Sequence, residues 1–236
     1  MQIVVIISCT LCLLFLFYSI IPTVIIRTCG WGITQKVKGE NRIALTFDDG
    51  PNPEYTTQLL DLLKKYQVKA SFFVVGSKVK SNSDLVKRMH QEGHTIGIHH
   101  FQHISSWLMP PFILRRQLYL TEQAIKEYTN EKVTFYRPPW GHFNVFTLFL
   151  SKNYHIVMWS HIFGDWKVKN CRQTLLDELR LATERGSILL LHDCGETLGA
   201  DQEAPRYMLE QLEVYLQESK EKGIRFMTLN EMKRIV

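Results

Sequence analysis

From residue 3 to residue 26 the chain is a nearly unbroken run of apolar side chains, and the first charge is Arg27. A helix of that length, rising about 1.5 Å per residue, crosses a hydrocarbon core of about 30 Å. No Lys or Arg precedes the run and no small-residue cleavage pattern follows it, so residues 1–26 are expected to be a retained single-pass anchor rather than a removed signal peptide. Residues 27–40 are polar and carry Gly30, Gly32, Gly39, Lys36 and Lys38, which reads as a linker. Residues 41–236 are expected to form one domain.

Within that domain short apolar runs alternate with amphipathic ones. Strands are predicted over 42–47, 71–75, 95–98, 133–136, 154–159, 187–191 and 224–227. Between them the pattern predicts a helix opening at Asn52-Pro53, with Leu59, Leu62, Leu63 and Tyr66 on one face, and helices over 83–92, 111–128, 144–151, 171–184 and 202–221. Strand followed by helix, about seven times, predicts a parallel α/β sheet with helices outside, either an open doubly wound sheet or a distorted (β/α) barrel. No G-x-G-x-x-G follows the first strand, so a dinucleotide fold has no support.

Composition narrows the partners. With 45% hydrophobic and 22% charged residues, the 236-residue chain is neither disordered nor fibrous. A net charge of +5 suits an anionic surface such as a cell wall or membrane face, but no basic run of five and no nucleic-acid motif occurs, so nucleic acid is not an expected partner. Of the five cysteines, Cys9 and Cys12 form a lone CxxC inside the apolar run and Cys29, Cys171 and Cys194 have no regular spacing, so they give neither a disulfide framework nor a zinc ribbon and are read as unpaired.

The candidate chemistry sits where predicted strands end. Asp48 and Asp49 follow the first strand, His99, His100 and His103 the third, Arg137 the fourth, Asp165 the fifth and His192 the sixth. In parallel α/β architectures that end is where active sites are built. Two adjacent carboxylates repel unless a cation relieves them, and a metal on one would leave the other as a base. His99 and His103, four residues apart, would face the same way on one helical turn; His100 with His103 is the alternative pair. Two imidazoles and one carboxylate leave positions open for water and substrate, as in a catalytic metal site. Arg137, in the rigid loop Arg137-Pro138-Pro139-Trp140-Gly141, is suited to hold a carboxylate by two parallel hydrogen bonds. His192, at the end of the apolar run Leu189-Leu190-Leu191, is a plausible proton donor near neutral pH.

Taken together, the segments 46–51 (TFDDGP), 99–103, 137–141, 165–166 and 190–192 resemble, in order, the five motifs of the NodB-type polysaccharide deacetylase family, over about residues 41–230. The resemblance implies a distorted (β/α) barrel of about seven strands and metal-dependent removal of N-acetyl groups from N-acetylglucosamine units of chitin-like oligosaccharide or peptidoglycan. It implies Asp49, His99 and His103 as ligands of a divalent transition metal, zinc or otherwise Co, Ni, Mn or Fe. It further implies Asp48 as general base, His192 as general acid, Arg137 orienting Asp48 and Asp165 tuning His192. Trp140 would supply a backbone N–H to the oxyanion, and Trp166 and Leu190 would line the acetyl pocket. Position 100 is His where the family usually has Ser or Thr, and Ile162 stands where a further Asp is common. Other substrates open to the same machinery are a lipid-linked sugar, deacylated or deformylated, and an O-acetyl polysaccharide. A membrane-anchored carbohydrate-binding protein without activity would not need the whole set. Basic residues after the apolar run favour a cytoplasmic domain by the positive-inside rule. The family's cell-wall substrates favour an extracytoplasmic one, which is the expectation adopted.

Overall fold

The computed structural model describes residues 1–37 and 41–233, so Lys38, Gly39 and Glu40 of the expected linker and the last three residues of the expected domain lie outside the described residues. Among the described residues nine parallel strands form one sheet: β1 (Ile33–Thr34), β2 (Ile43–Asp48), β3 (Ser71–Val74), β4 (Thr95–Ile98), β5 (Phe135–Tyr136), β6 (His155–Val157), β7 (His161–Ile162), β8 (Ile188–His192) and β9 (Phe226–Met227). Their order is β1-β6-β5-β4-β3-β2-β8-β7, with β9 beside the start of β2. The sheet curls into an open half-barrel whose edges are β1 and β7. Across the gap, Lys36 makes an isolated antiparallel bridge to Ser187, and the Val37 N–H donates to the Gly186 carbonyl at 2.9 Å.

Among the described residues eleven α-helices accompany the strands: α1 (Gln2–Phe15), α2 (Ile21–Cys29), α3 (Tyr55–Lys65), α4 (Gly76–Val79), α5 (Ser83–Gln91), α6 (Pro111–Thr129), α7 (Thr147–Leu150), α8 (Val168–Gln173), α9 (Leu175–Leu181), α10 (Ala204–Glu221) and α11 (Leu229–Lys233). Side chains alternate across β2. Leu45 and Phe47 pack outward with Leu59 and Leu63 of α3, whereas Ala44 packs inward with Phe73, Phe135, Val157 and Ile188. The inner cluster fills the lower half of the half-barrel, and Met227, Leu229 and Met232 join it from the C-terminal end. Each such side chain contributes about 1.5–3 kcal/mol on burial.

Several predicted elements change in detail. Asn52 accepts from the backbone N–H groups of Glu54 and Tyr55 at 3.0 Å each, so the Asn52-Pro53 cap is present although the regular helix begins at Tyr55. The single helix expected over 171–184 is two, α8 and α9, broken at Thr174, whose φ of −126° is not helical. The stretch read as a polar linker contains β1, which pairs with β6 through Ile33↔Ile156 and Thr34↔Val157.

The apolar N-terminal helix spans Gln2–Cys29, has a mean hydropathy of 2.7 over its most apolar stretch, and is long and apolar enough to cross a membrane. It is not one uniform rod. A π-helical turn, Leu16–Ile20, separates α1 from α2, and Pro22 sits in the first turn of α2. Proline has no N–H for the carbonyl four residues back, which is that of Tyr18. The Val145 N–H supplies the bond instead, at 3.1 Å. Around it Tyr18 Oη donates to the Met109 carbonyl (2.8 Å), Ser19 to the Trp107 carbonyl and Thr23 to the Phe143 carbonyl (2.8 Å). Thr23 Oγ1 also accepts from Trp107 Nε1 and the Phe143 N–H, both at 2.9 Å. Residues of α1, by contrast, are exposed except for Phe15 at its end, which is half-buried.

Candidate active site

β2 and β8 are neighbours in register, with Asp48 opposite His192 and Thr46 opposite Leu190. The period of two puts all four toward the inside of the half-barrel, at its C-terminal mouth. Arg137, fully buried at the end of β5, reaches beneath them. Its Nη1 donates to Asp48 Oδ1 at 2.7 Å and to Thr46 Oγ1 at 2.9 Å. The other guanidinium nitrogens bind the carbonyls of Val157 and Met158, each at 2.9 Å, and the plane stacks on Phe73 at 4.1 Å. The paired hydrogen bonds expected between Arg137 and a carboxylate are therefore not formed: only one donor goes to Asp48, because the remaining two serve the frayed end of β6. Burial lowers the Arg137 pKa, and the Asp48 charge works against that fall.

Asp49, His99 and His103 bring one ligand atom each to within 4.8 Å of one another. Asp49 Oδ1 lies 3.2 Å from His99 Nε2 and 3.1 Å from His103 Nε2. His99 Nδ1 is hydrogen-bonded to the Arg137 carbonyl at 2.8 Å, which makes it the protonated nitrogen and leaves the Nε2 lone pair facing Asp49. Asp49 Oδ1 is buried with no hydrogen-bond partner among the described residues, and Oδ2 accepts from Thr197 at 2.6 Å. Burial raises the Asp49 pKa, but the two imidazoles and the His192 charge outweigh it and hold the carboxyl well below its usual range. An ionised, orphaned oxygen this close to two imidazole nitrogens fits a cation.

The two histidines do not share a helical turn. His99 directly follows β4, and the chain then folds back through His100, whose φ is +62°. That left-handed step is what turns His103 toward His99, with ring centroids 5.0 Å apart. Asp49, with φ +77°, makes the matching step after β2. His100 itself points away from the site. Fully buried, it is hydrogen-bonded by Nδ1 to the Ile104 carbonyl (2.9 Å) and by Nε2 to Tyr136 Oη (2.7 Å). Burial pushes its pKa down to about 3, so it is neutral and structural, and the alternative ligand pair His100–His103 is excluded. His100→Ala is expected to retain metal binding yet lose about 1–3 kcal/mol in urea unfolding, because the Tyr136 hydroxyl loses its acceptor. Loss of metal without loss of stability would contradict this assignment.

On the opposite wall, His192 Nδ1 is 2.9 Å from Asp165 Oδ1, and the His192 N–H donates to Asp165 Oδ2 at 2.7 Å. Asp165 follows β7, a strand the hydrophobic pattern does not announce, rather than β6 directly. Burial alone would lower the His192 pKa, but the Asp165, Asp49 and Asp48 charges raise it to about 10. Trp166 stands edge-on to the His192 ring at 5.4 Å, and Trp140 edge-on to His103 at 4.3 Å. Gly50 is required for space: a Cβ there would overlap the carboxylate of buried Asp193.

Asp48, Asp49, His99, His103, Trp140, Trp166 and His192 line one cleft of about 390 Å³, together with Leu190, Ile162 and Trp159. Two segments that line it carry no sequence signal. Thr197 and its neighbours to Ala200 come from the β8–α10 loop, and Arg27 comes from the end of α2, with its guanidinium 5.3 Å from the Trp159 ring centre. Only the fold brings them to the motifs.

Comparison with known proteins agrees with this arrangement. Residues 35–159 match the family model for polysaccharide deacetylase, which is more than half of the chain. The chain is 36% identical over 197 residues to the peptidoglycan-N-acetylglucosamine deacetylase PgdA of Listeria monocytogenes, covering 84% of this chain but only 40% of that longer protein. It is 34% identical over 209 residues to a peptidoglycan-N-acetylglucosamine deacetylase of Bacillus cereus, covering 87% of this chain and 94% of the relative. The crystal structure of the Bc1960 peptidoglycan N-acetylglucosamine deacetylase superposes with a TM-score of 0.75 at 30% identity, over 85% of this chain and 91% of that one. The open parallel half-barrel is thus the fold of a known group of hydrolases, and the chain belongs to the polysaccharide deacetylase family.

Proposed function

We propose that this chain hydrolyses the N-acetyl groups of N-acetylglucosamine units in peptidoglycan, releasing acetate. The observation that carries this reading is the pairing across β2 and β8: a carboxylate held by Arg137 faces a histidine held by Asp165, with the Asp49, His99, His103 set beside them. Asp49, His99 and His103 would hold a divalent cation, for which zinc suits the two nitrogens and one oxygen. Such an ion supplies a Lewis acid for the acetyl carbonyl and for a water molecule. Asp48, outside the ligand set, takes a proton from the attacking water. The Trp140 backbone N–H stabilises the developing oxyanion. His192 presents Nε2 to the cleft, because Nδ1 is committed to Asp165. It protonates the sugar nitrogen as the C–N bond breaks, giving acetate and a free amine. Trp166 and Leu190 shape the acetyl pocket.

The experiment is acetate release by the full chain from peptidoglycan, chitooligosaccharides and acetylated xylan, before and after chelation. Release from peptidoglycan is expected to vanish with chelator and to return with Zn²⁺ or Co²⁺. Turnover indifferent to chelation would overturn the reading. A second expected result concerns pH. His192 must be protonated to act, so activity falls as pH rises through its pKa. Asp165→Asn removes the largest charge raising that pKa, and the alkaline limb of kcat/KM is expected to move to lower pH. An unmoved limb would show that another group sets it.

The apolar helix is proposed to anchor the domain to the membrane, facing outward where cell-wall glycan lies. A lipid-linked sugar is a second substrate reading, favoured by one observation: Arg27, the residue ending the apolar run, lines the cleft itself.

A further inference from the structure

The apolar helix leaves the domain through a patch of exposed apolar side chains. Leu108, Phe112 and Phe149 are 79%, 69% and 64% exposed, and Val145 and Phe146 are also open. All cluster at one level of the helix, around Phe15 and Tyr18. Trp107, next to Leu108, meets the Phe15 ring edge-on at 5.8 Å, and Phe146 lies 6.0 Å from the Tyr18 ring. Phe112 follows Met109, whose carbonyl takes the Tyr18 hydroxyl, and Phe149 is one turn beyond Phe146. Large aromatic and aliphatic side chains this exposed and this close together mark an interaction surface.

The rim of the patch is basic. Arg115 and Arg116 lie one turn along α6 from Phe112, on the same exposed side, and have no ion-pair partner among the described residues. Lys152 sits with its Nζ 5.5 Å from the Phe149 ring centre. An apolar centre with basic groups around it is the composition of a surface lying at the headgroup boundary of an anionic bilayer.

The helix fixes which surface that is. Above the patch, every polar group of the helix that could be left without a partner is met by the domain: Tyr18, Ser19 and Thr23, and the Tyr18 carbonyl that Pro22 orphans. Below the patch, α1 buries no residue against protein. The helix therefore changes partner, from domain to something apolar, at the level of the patch. We propose that residues 108, 112, 146 and 149 are seated in the bilayer interface, with Arg115, Arg116 and Lys152 against anionic headgroups. The domain would then rest on the membrane in one orientation instead of hanging from it on a linker. This rests on the proposed membrane anchoring, and it confines the membrane part of the helix to the residues before Tyr18, about 24 Å at 1.5 Å per residue, a shortfall against a core of about 30 Å that local thinning of the bilayer takes up. From Tyr18 to Arg27 the helix rises about 14 Å at 1.5 Å per residue, so the cleft is held close above the headgroups. Sugars at that height are those still attached to a membrane carrier or just released from it.

The test uses the full chain in vesicles of phosphatidylglycerol and phosphatidylcholine, with Cys9, Cys12 and Cys29 changed to serine. Nitroxide labels are placed singly through Leu108→Cys, Phe112→Cys and Phe149→Cys. Leu11→Cys serves as the reference within the helix, and Glu210→Cys, exposed on α10, as the reference in water. Collision with oxygen and with a water-soluble nickel chelate reports the depth of each label. The expected result is an oxygen-to-nickel ratio several-fold higher at 108, 112 and 149 than at 210, and highest at 11. A lipid-buried label at 11 with water-like labels at all three patch positions would overturn the seating while leaving the anchor intact. A water-like label at 11 would overturn both. Circular dichroism of each labelled protein, matched to the parent, shows that the fold is retained.

Discussion

Asp48→Asn is expected to lower turnover about 10²–10⁴-fold, the range for loss of a positioned general base, while metal content stays at the parental level. The amide can still accept the Arg137 hydrogen bond that Asp48 accepts at 2.7 Å, but it cannot take a proton from water. Arg137 is fully buried, so removing the charge beside it also costs stability. The informative comparison is therefore between kcat at a temperature well below the unfolding transition and metal content measured on the same sample. Parental turnover in Asp48→Asn would assign the base elsewhere. Loss of metal would place Asp48 among the ligands, which its 3.7 Å separation from His99 Nε2 disfavours against the 3.2 Å of Asp49.

His99→Ala and His103→Ala are each expected to reduce both metal binding and turnover, by more than the roughly 10–100-fold typical of losing an outer partner of a metal ligand. The two should not be equal in stability. His99 is buried and bonded to the Arg137 carbonyl, so its removal leaves that carbonyl without a partner at the end of β5. His103 is more open and is covered by Trp140. Titration with Zn²⁺ or Co²⁺ followed by calorimetry separates the ligand effect from the folding effect. A His103→Ala protein that binds metal as tightly as the parent would remove His103 from the site.

Most of the framework is legible in the sequence because the central strands are short, mainly apolar runs set between polar, amphipathic stretches. β2, β3, β4 and β8 are buried on both faces, and such strands cannot be mistaken for loops. The two edge strands escape for the same reason in reverse. β1 and β7 hold two residues each and include exposed positions, so no periodicity distinguishes them from the polar stretches around them. At the site, residue types and order point to the ligands and to the acid–base pair. The orientation of His103 does not follow from its spacing, since it depends on the left-handed backbone at His100. Arg137 is legible as an anchor for Asp48 but not as the group that also ties β6 to the floor of the cleft. Thr197 and Arg27 reach the cleft across 148 and more than 20 residues of chain respectively from Asp49, distances at which sequence pattern carries nothing.

The contacts that Thr23 makes with Phe143 and Trp107 set how this protein would look for its substrate. A domain on a floppy tether samples a hemisphere and meets glycan at many depths of the wall. A domain locked to its own helix samples no such volume. Once that helix lies in a bilayer, the search becomes two-dimensional: enzyme and acceptor sugar meet only by drifting past each other in the plane of the membrane. Encounter frequency then scales with the number of target molecules per unit area of membrane, and fully assembled wall beyond the reach of the cleft contributes nothing to it.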